Sequence, residues 1–190
     1  MMLAEDRATQ EDAVAPTMFW CYLVSLAGQL FAVPDDERTV LLPFINMVPQ
    51  VTPLPLGLVP QYVLGLVNVA QRGELLVDLA RLMGLRDGPA APGASEHRRM
   101  LVVGEGAPPE NEEYRLAFVV DTGHELAQVA QGTPLEEHPL GVFVKEVLTT
   151  PRGEAILLNI EEICNTVLRD FGGERQWNEV IESVENGEDV

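Results

Sequence analysis

The chain has 190 residues, 46% of them hydrophobic, and carries 30 acidic side chains against 12 Lys and Arg, for a net charge of −18. That length buries about 70% of the unfolded surface, enough for one large domain or two small packed units. A net anion of this size argues against docking on nucleic acid or anionic lipid, both of which call for a basic face.

Residues 1–17 are polar, acidic and Pro-containing and are expected to form a disordered N-terminal segment. They show no basic region followed by an apolar core, so they do not read as a signal peptide. No later run approaches the ~20 apolar residues of a membrane span. Phe19 to Leu26 is aromatic and β-branched and reads as a strand. Ala27-Gly28-Gln29 is a tight turn, Leu30-Phe31-Ala32-Val33 the return strand, and Pro34 its end.

Val40-Leu41-Leu42 and Ile45-Asn46-Met47-Val48 are short strand candidates, and the prolines between Pro43 and Pro60 exclude a long helix. Tyr62 to Val69 is a strong strand, with Glu74 to Val77 its antiparallel partner. Asp78 can cap a short helix bearing Leu79, Leu82 and Met83 on one face and closed by Gly84. The Gly/Pro/Ala-rich stretch 86–97 is the expected boundary between two subdomains. Arg99 to Val103, Tyr114 to Val120, Val142 to Leu148 and Ala155 to Leu158 follow as strands. Glu161 to Leu168 has helical spacing, and Trp177, Val180, Ile181 and Val184 mark a C-terminal helix within 169–190, which ends in an acidic tail.

One unit recurs. Leu64-Gly65-Leu66-Val67, Arg72-Gly73-Glu74 and Leu76-Val77-Asp78-Leu79 are echoed by Leu140-Gly141-Val142-Phe143, Arg152-Gly153-Glu154 and Leu157-Leu158-Asn159-Ile160. Eight to ten short strands with little helix describe a barrel or sandwich architecture.

Catalytic chemistry is not legible. His97, His124 and His138 lie in or near polar loops without the i, i+4 spacing of a helical metal site, so no metal site is expected. Ser25, Ser95 and Ser183 lack a base in any nucleophile motif, and no phosphate-cradling loop is present. Cys21 and Cys164 sit among apolar residues and read as buried free thiols in a reducing compartment. Asp78 and Asp121 end apolar runs. They could pair for acid–base work, but a structural role in capping or turns is expected, since Asn159 stands where Asp78 does in the other copy and cannot act as a base.

The motifs over residues 18–168 resemble the CheW-like adaptor domain of bacterial chemosensory arrays. The resemblance is carried by Tyr22-Leu23-Val24-Ser25-Leu26-Ala27-Gly28, Phe31-Ala32-Val33-Pro34, Val51-Thr52-Pro53-Leu54-Pro55, Val63 to Val69 followed by Asp78-Leu79, Phe118-Val119-Val120-Asp121 and Ile156 to Glu161. It implies an all-β fold of two small five-stranded SH3-like barrels packed around a shared apolar core. It also implies a cytoplasmic, non-enzymatic adaptor without cofactor, associated with receptor arrays at the inner membrane. The implied partners are the regulatory domain of a CheA-type histidine kinase, the cytoplasmic tip of chemoreceptors and other CheW-like domains. No nucleic acid or membrane insertion is implied. In the family an Arg-Gly pair associated with partner coupling falls where this chain has Ala70-Gln71, and Arg72-Gly73 comes two residues later. The candidate contact surface is therefore Leu66, Val67, Asn68, Ala70, Gln71 and Arg72. The same departure makes a PilI-type adaptor of twitching or gliding motility the alternative.

Overall fold

The computed structural model describes residues 17–35, 39–43, 59–69, 72–88, 98–103 and 116–170. Eleven strands carry the fold: β1 (Met18–Leu26), β2 (Gln29–Pro34), β3 (Thr39–Pro43), β4 (Val63–Val69), β5 (Arg72–Asp78), β6 (Arg99–Val103), β7 (Leu116–Val120), β8 (Thr122–Ala130), β9 (Thr133–Pro134), β10 (Val144–Thr150) and β11 (Gly153–Leu158). Two helices join them, α1 (Leu79–Leu82) and α2 (Ile160–Asp170). The Ile45–Val48 strand candidate, His97, and the C-terminal helix around Trp177 lie outside the described residues.

The strands form two sheets, ordered β8-β1-β2-β11-β10-β9 and β3-β6-β7-β5-β4. Among the described residues neither is hydrogen-bonded into a closed ring, and the first has six strands rather than five, because the two-residue β9 adds itself to the edge of β10. Each sheet has one parallel contact at its centre, β2 with β11 and β5 with β7. Read outward from those contacts, β4-β5-β7-β6-β3 in one sheet matches β10-β11-β2-β1-β8 in the other. The sequence repeat is thus real at the level of architecture. It is permuted: the N-terminal hairpin β1–β2 fills in the first sheet the place that β6–β7 fill in the second.

The stretch 86–97, expected to separate two subdomains, has strands of one sheet on both sides. That stretch connects β5 and α1 to β6, all belonging to the same unit, whereas the chain changes sheet between Pro34 and Thr39 and again at Asp121. A Gly/Pro-rich composition marks a loop, but which strands that loop separates depends on pairings between residues distant in sequence.

Burial explains why several strands read as unbroken apolar runs. In β6, Leu101 and Val103 face one cluster and Met100 and Val102 another; in β7, Leu116, Phe118 and Val120 alternate likewise with Ala117 and Val119. Successive strand side chains point to opposite faces. One face fills the interior of its own curved sheet, and the other fills a core shared between the sheets, so both must be apolar. The first sheet has its own interior in Cys21, Leu23, Ala32, Ala127, Val129, Leu148, Ala155 and Leu157. The shared core takes Val24, Phe31, Leu75, Phe118, Leu158 and α2 residues Ile163, Cys164 and Val167, with Leu79 and Ala80 of α1. Each such large side chain contributes about 1.5–3 kcal/mol. Both cysteines are buried and free.

Two elements differ from expectation. The sequence does not announce β8, since Gly123, His124, Glu125 and Gln128 dilute its apolar content, and among its described side chains Ala127 and Val129 are the ones in the core. The segment read as opening a strand at Val142 instead forms a 3-10 turn over Gly141–Phe143, and the strand starts at Val144.

Candidate functional site

The candidate contact residues separate into two groups. Leu66 is 5% exposed and belongs to the shared core, while Val67 is 1% exposed and belongs to the interior of the second sheet. Both faces of β4 are therefore occupied, and these side chains are not available to a partner. Asn68 points outward. Among the described strands β4 pairs with β5 alone. The register sets Val69 opposite Arg72 and Asn68 opposite Gly73, leaving Ala70 and Gln71 as the two-residue connection. Arg72 is consequently the first residue of β5 rather than part of the turn tip. Ala70, Gln71 and the Arg72 side chain lie outside the described residues. In the second hairpin Thr150 faces Gly153, so Arg152 does sit in the turn. The two Arg-Gly-Glu triplets are similar in sequence but one residue out of register.

The acids form a constellation that sequence reasoning only half saw. Asp78, 3% exposed, ends β5 and caps α1 by accepting the Arg81 N–H at 3.2 Å. Both of its oxygens also accept from Arg86 Nη2 at 2.7 Å, and Arg86 Nη1 donates to Asp121 Oδ1 at 2.6 Å. Asp121 in turn accepts the Ala27 N–H on Oδ2 at 2.7 Å, and its own N–H donates to the Ser25 carbonyl at 3.1 Å. Burial opposes the charge on Arg86, but the hydrogen bonds to Asp78 and then Asp121 outweigh it and hold the guanidinium above its ordinary range. The two carboxylates are thus bridged by a cation, an arrangement for holding elements together rather than for acid–base chemistry. Arg86 was missed because the sequence placed it at the start of a Gly/Pro-rich loop, and nothing local shows that such a residue reaches two distant acids.

Asn159 immediately precedes α2, and its carbonyl accepts the Ile163 N–H at 3.0 Å. Its amide Nδ2 donates to the Val142 carbonyl at 3.2 Å, and its buried Oδ1 has no hydrogen-bond partner. The Gly141–Phe143 turn abuts the start of α2, and also accepts the Asn159 N–H at Phe143, 2.9 Å away. Glu161 and Glu162 supply the negative charge that favours the first turn of α2.

Ser25 and His124, unrelated by any motif, share a 2.8 Å hydrogen bond across the β1–β8 pair. No group of three His, Cys, Asp or Glu residues is arranged to hold a metal among the described residues. No helix among them is long and apolar enough to cross a membrane.

A groove of about 470 Å³ opens where the two units meet. Its floor crosses β2, β11 and β10 with Leu30, Ile156 and Val147; Leu140 comes from the loop before β10, and Leu85, just after α1, is the one wall residue from the other unit. Gln29, His138 and Glu154 supply polar groups at its margin. A groove lined mainly by apolar side chains with a few polar groups can take the apolar face of an amphipathic helix.

Comparison with known proteins agrees with this architecture. No curated protein sequence gives a significant match. Among solved structures, the scaffolding protein TtCheW from Thermoanaerobacter tengcongensis superposes with a TM-score of 0.56 at 16% identity, covering 76% of this chain and 90% of that one. That likeness establishes the fold. The profile of the CheW-like domain matches residues 21–167, spanning both sheets and most of α2. The chain belongs to the CheW-like domain family.

Proposed function

We propose that this protein is a non-enzymatic, cytoplasmic adaptor that couples the signalling tips of chemoreceptors to the regulatory domain of a CheA-type histidine kinase. The observation that carries the reading is the apolar groove between the two units, beside a second, separate feature, the β4 strand at the end of its sheet among the described strands. One scaffold thereby offers two unlike surfaces. A receptor tip is a helical hairpin, and its apolar ridge fits the groove over Leu30, Leu140, Val147 and Ile156. The β4 edge and the Asn68–Arg72 connection are the face for the kinase domain or for another CheW-like domain. Contacts of micromolar strength, about −8 kcal/mol each, suffice when many are repeated in an array.

The displaced arginine supports a second reading of the output. With Arg72 in the strand and Ala70-Gln71 in the turn, a PilI-type adaptor of twitching or gliding motility fits the same scaffold. The discriminating experiment is calorimetric titration of the full chain with a receptor-tip fragment and with a CheA-type regulatory domain, each drawn from the swimming system and from the pilus system of one bacterium. Micromolar binding to one set identifies the output, and folded protein that binds neither set overturns the adaptor reading.

A further inference from the structure

We infer that Arg86 is a positioning residue for the groove: by clasping Asp78 and Asp121 together it sets the separation of the groove's walls. This inference rests on the groove being the docking site. Leu85, the wall contributed by the second unit, is the immediate chain neighbour of Arg86 and is held from the other side by its N–H bond to the Ala80 carbonyl at 2.8 Å. The opposite side begins at Gln29 and Leu30, which follow directly on the Ala27-Gly28 turn, and that turn is tethered to Asp121 by the 2.7 Å bond from the Ala27 N–H. A chain of contacts therefore runs from one wall to the other: Leu85, Arg86, Asp121, Ala27, then Gln29 and Leu30. Asp78 fixes the near end of this chain to the start of α1.

The chemistry suits a clasp. A guanidinium is a planar fork that can grip two carboxylates at once, which a lysine ammonium cannot do with the same geometry. The side chains of Arg86, Asp78 and Asp121 are 17%, 4% and 22% exposed, so solvent and salt screen the pairs only in part. Neutralising Arg86 removes the bond that ties the Leu85–Arg86 segment to Asp121 and so to the Ala27 turn, and it leaves the two carboxylates without their shared cation, so Leu85 is no longer held at a fixed distance from Gln29 and Leu30. A groove that must be re-formed on binding has lower apparent affinity by the fraction of time it is open to the ligand.

The test uses Arg86→Met and Arg86→Lys in the full chain, with Asp121→Asn as the milder variant should Arg86→Met fail to fold. Spin labels at Asp87→Cys and Glu154→Cys, both exposed positions flanking the groove, report its width without any partner. A single narrow distance distribution is expected in the parent and a broadened one, with longer distances, in Arg86→Met or Asp121→Asn. Affinity for the receptor-tip fragment is expected to fall about tenfold in Arg86→Met, with Arg86→Lys recovering thermal stability but not affinity. An unchanged distribution with unchanged affinity overturns the inference even if the melting temperature falls. Recovery of stability and affinity together in Arg86→Lys would also overturn it, because charge alone would then suffice. If the parent itself binds no receptor-tip fragment, the docking reading fails, while the label distances still decide whether Arg86 sets the width.

Discussion

The Asp121 carboxylate accepts the Ala27 backbone N–H at 2.7 Å across a separation of 94 residues. It thereby stabilises a turn whose first residue carries strain: Ala27 has φ +49° and Gly28 φ +82°, the left-handed pair that a two-residue hairpin needs. Every non-proline residue keeps the N–H, so substitutions at 27 isolate the backbone term. Ala27→Gly is expected to stabilise the protein by up to about 1 kcal/mol, and Ala27→Val to destabilise it by about 1–2 kcal/mol. Urea unfolding of both variants measures this, and a destabilised Ala27→Gly would contradict it.

Gly132 packs against the backbone of β10. A Cβ there would lie 1.9 Å from the Val147 carbonyl oxygen and 2.7 Å from its carbon. Backbone cannot step aside as a side-chain tip can, and the Gly132 N–H is also engaged by Glu146 Oε2 at 2.7 Å. Gly132→Ala should lose about 3 kcal/mol of stability, at the upper end of overpacking penalties. A thermal shift of under 2 °C would show that the site relaxes.

The shared core holds the units together, and Phe118 is fully buried within it. Phe118→Ala is expected to cost about 3–5 kcal/mol. Val142, 62% exposed, serves as the control, and Val142→Ala should stay within about 0.5 kcal/mol. Equal effects at the two positions would contradict the division of the core.

Stability should fall in alkali. Burial, and secondarily Asp35, pushes the Cys21 thiol up to about 11 from 9.0, and burial pushes Cys164 up to about 12. Folding holds both protons more tightly, so the unfolded chain deprotonates first. The stabilisation is complete below pH 9 and is lost as pH rises through 11 to 12. The native thiols should accordingly resist iodoacetamide at pH 8 and react once the chain is unfolded in urea. Rapid native labelling at pH 8 would refute their protected state.

Arg72 tests the β4 edge. Arg72→Glu should weaken binding of either the kinase regulatory domain or a second CheW-like domain by about tenfold, while the melting temperature changes little. Calorimetry with each partner checks this, and unchanged affinity for both removes the Asn68–Arg72 connection from the contact surface.

Much of the fold was legible because short-range rules govern it. The Ala27-Gly28 hairpin, the Asp78 cap with its closing turn, the runs of β6 and β7, and the helical spacing of α2 depend on residues within a few positions of one another. β8 was not legible, because among its described side chains two, Ala127 and Val129, join the core. In the sequence Leu66 and Val67 are candidate contact residues because they adjoin the Asn68–Arg72 turn. Only packing on both faces of β4 shows that they are interior.

By itself, the sequence determined the strand content, the repeated hairpin, the free buried thiols and the family, all of which follow from local pattern and its order along the chain. Tertiary structure alone decided that β2 lies parallel to β11, that the N-terminal hairpin completes the C-terminal sheet, and that Arg86 joins Asp78 to Asp121. The reason is physical: a strand edge and a charged side chain carry no label for a partner 35 or 125 residues away. Their pairing is selected by whichever arrangement buries both apolar faces and leaves the fewest polar groups unmatched.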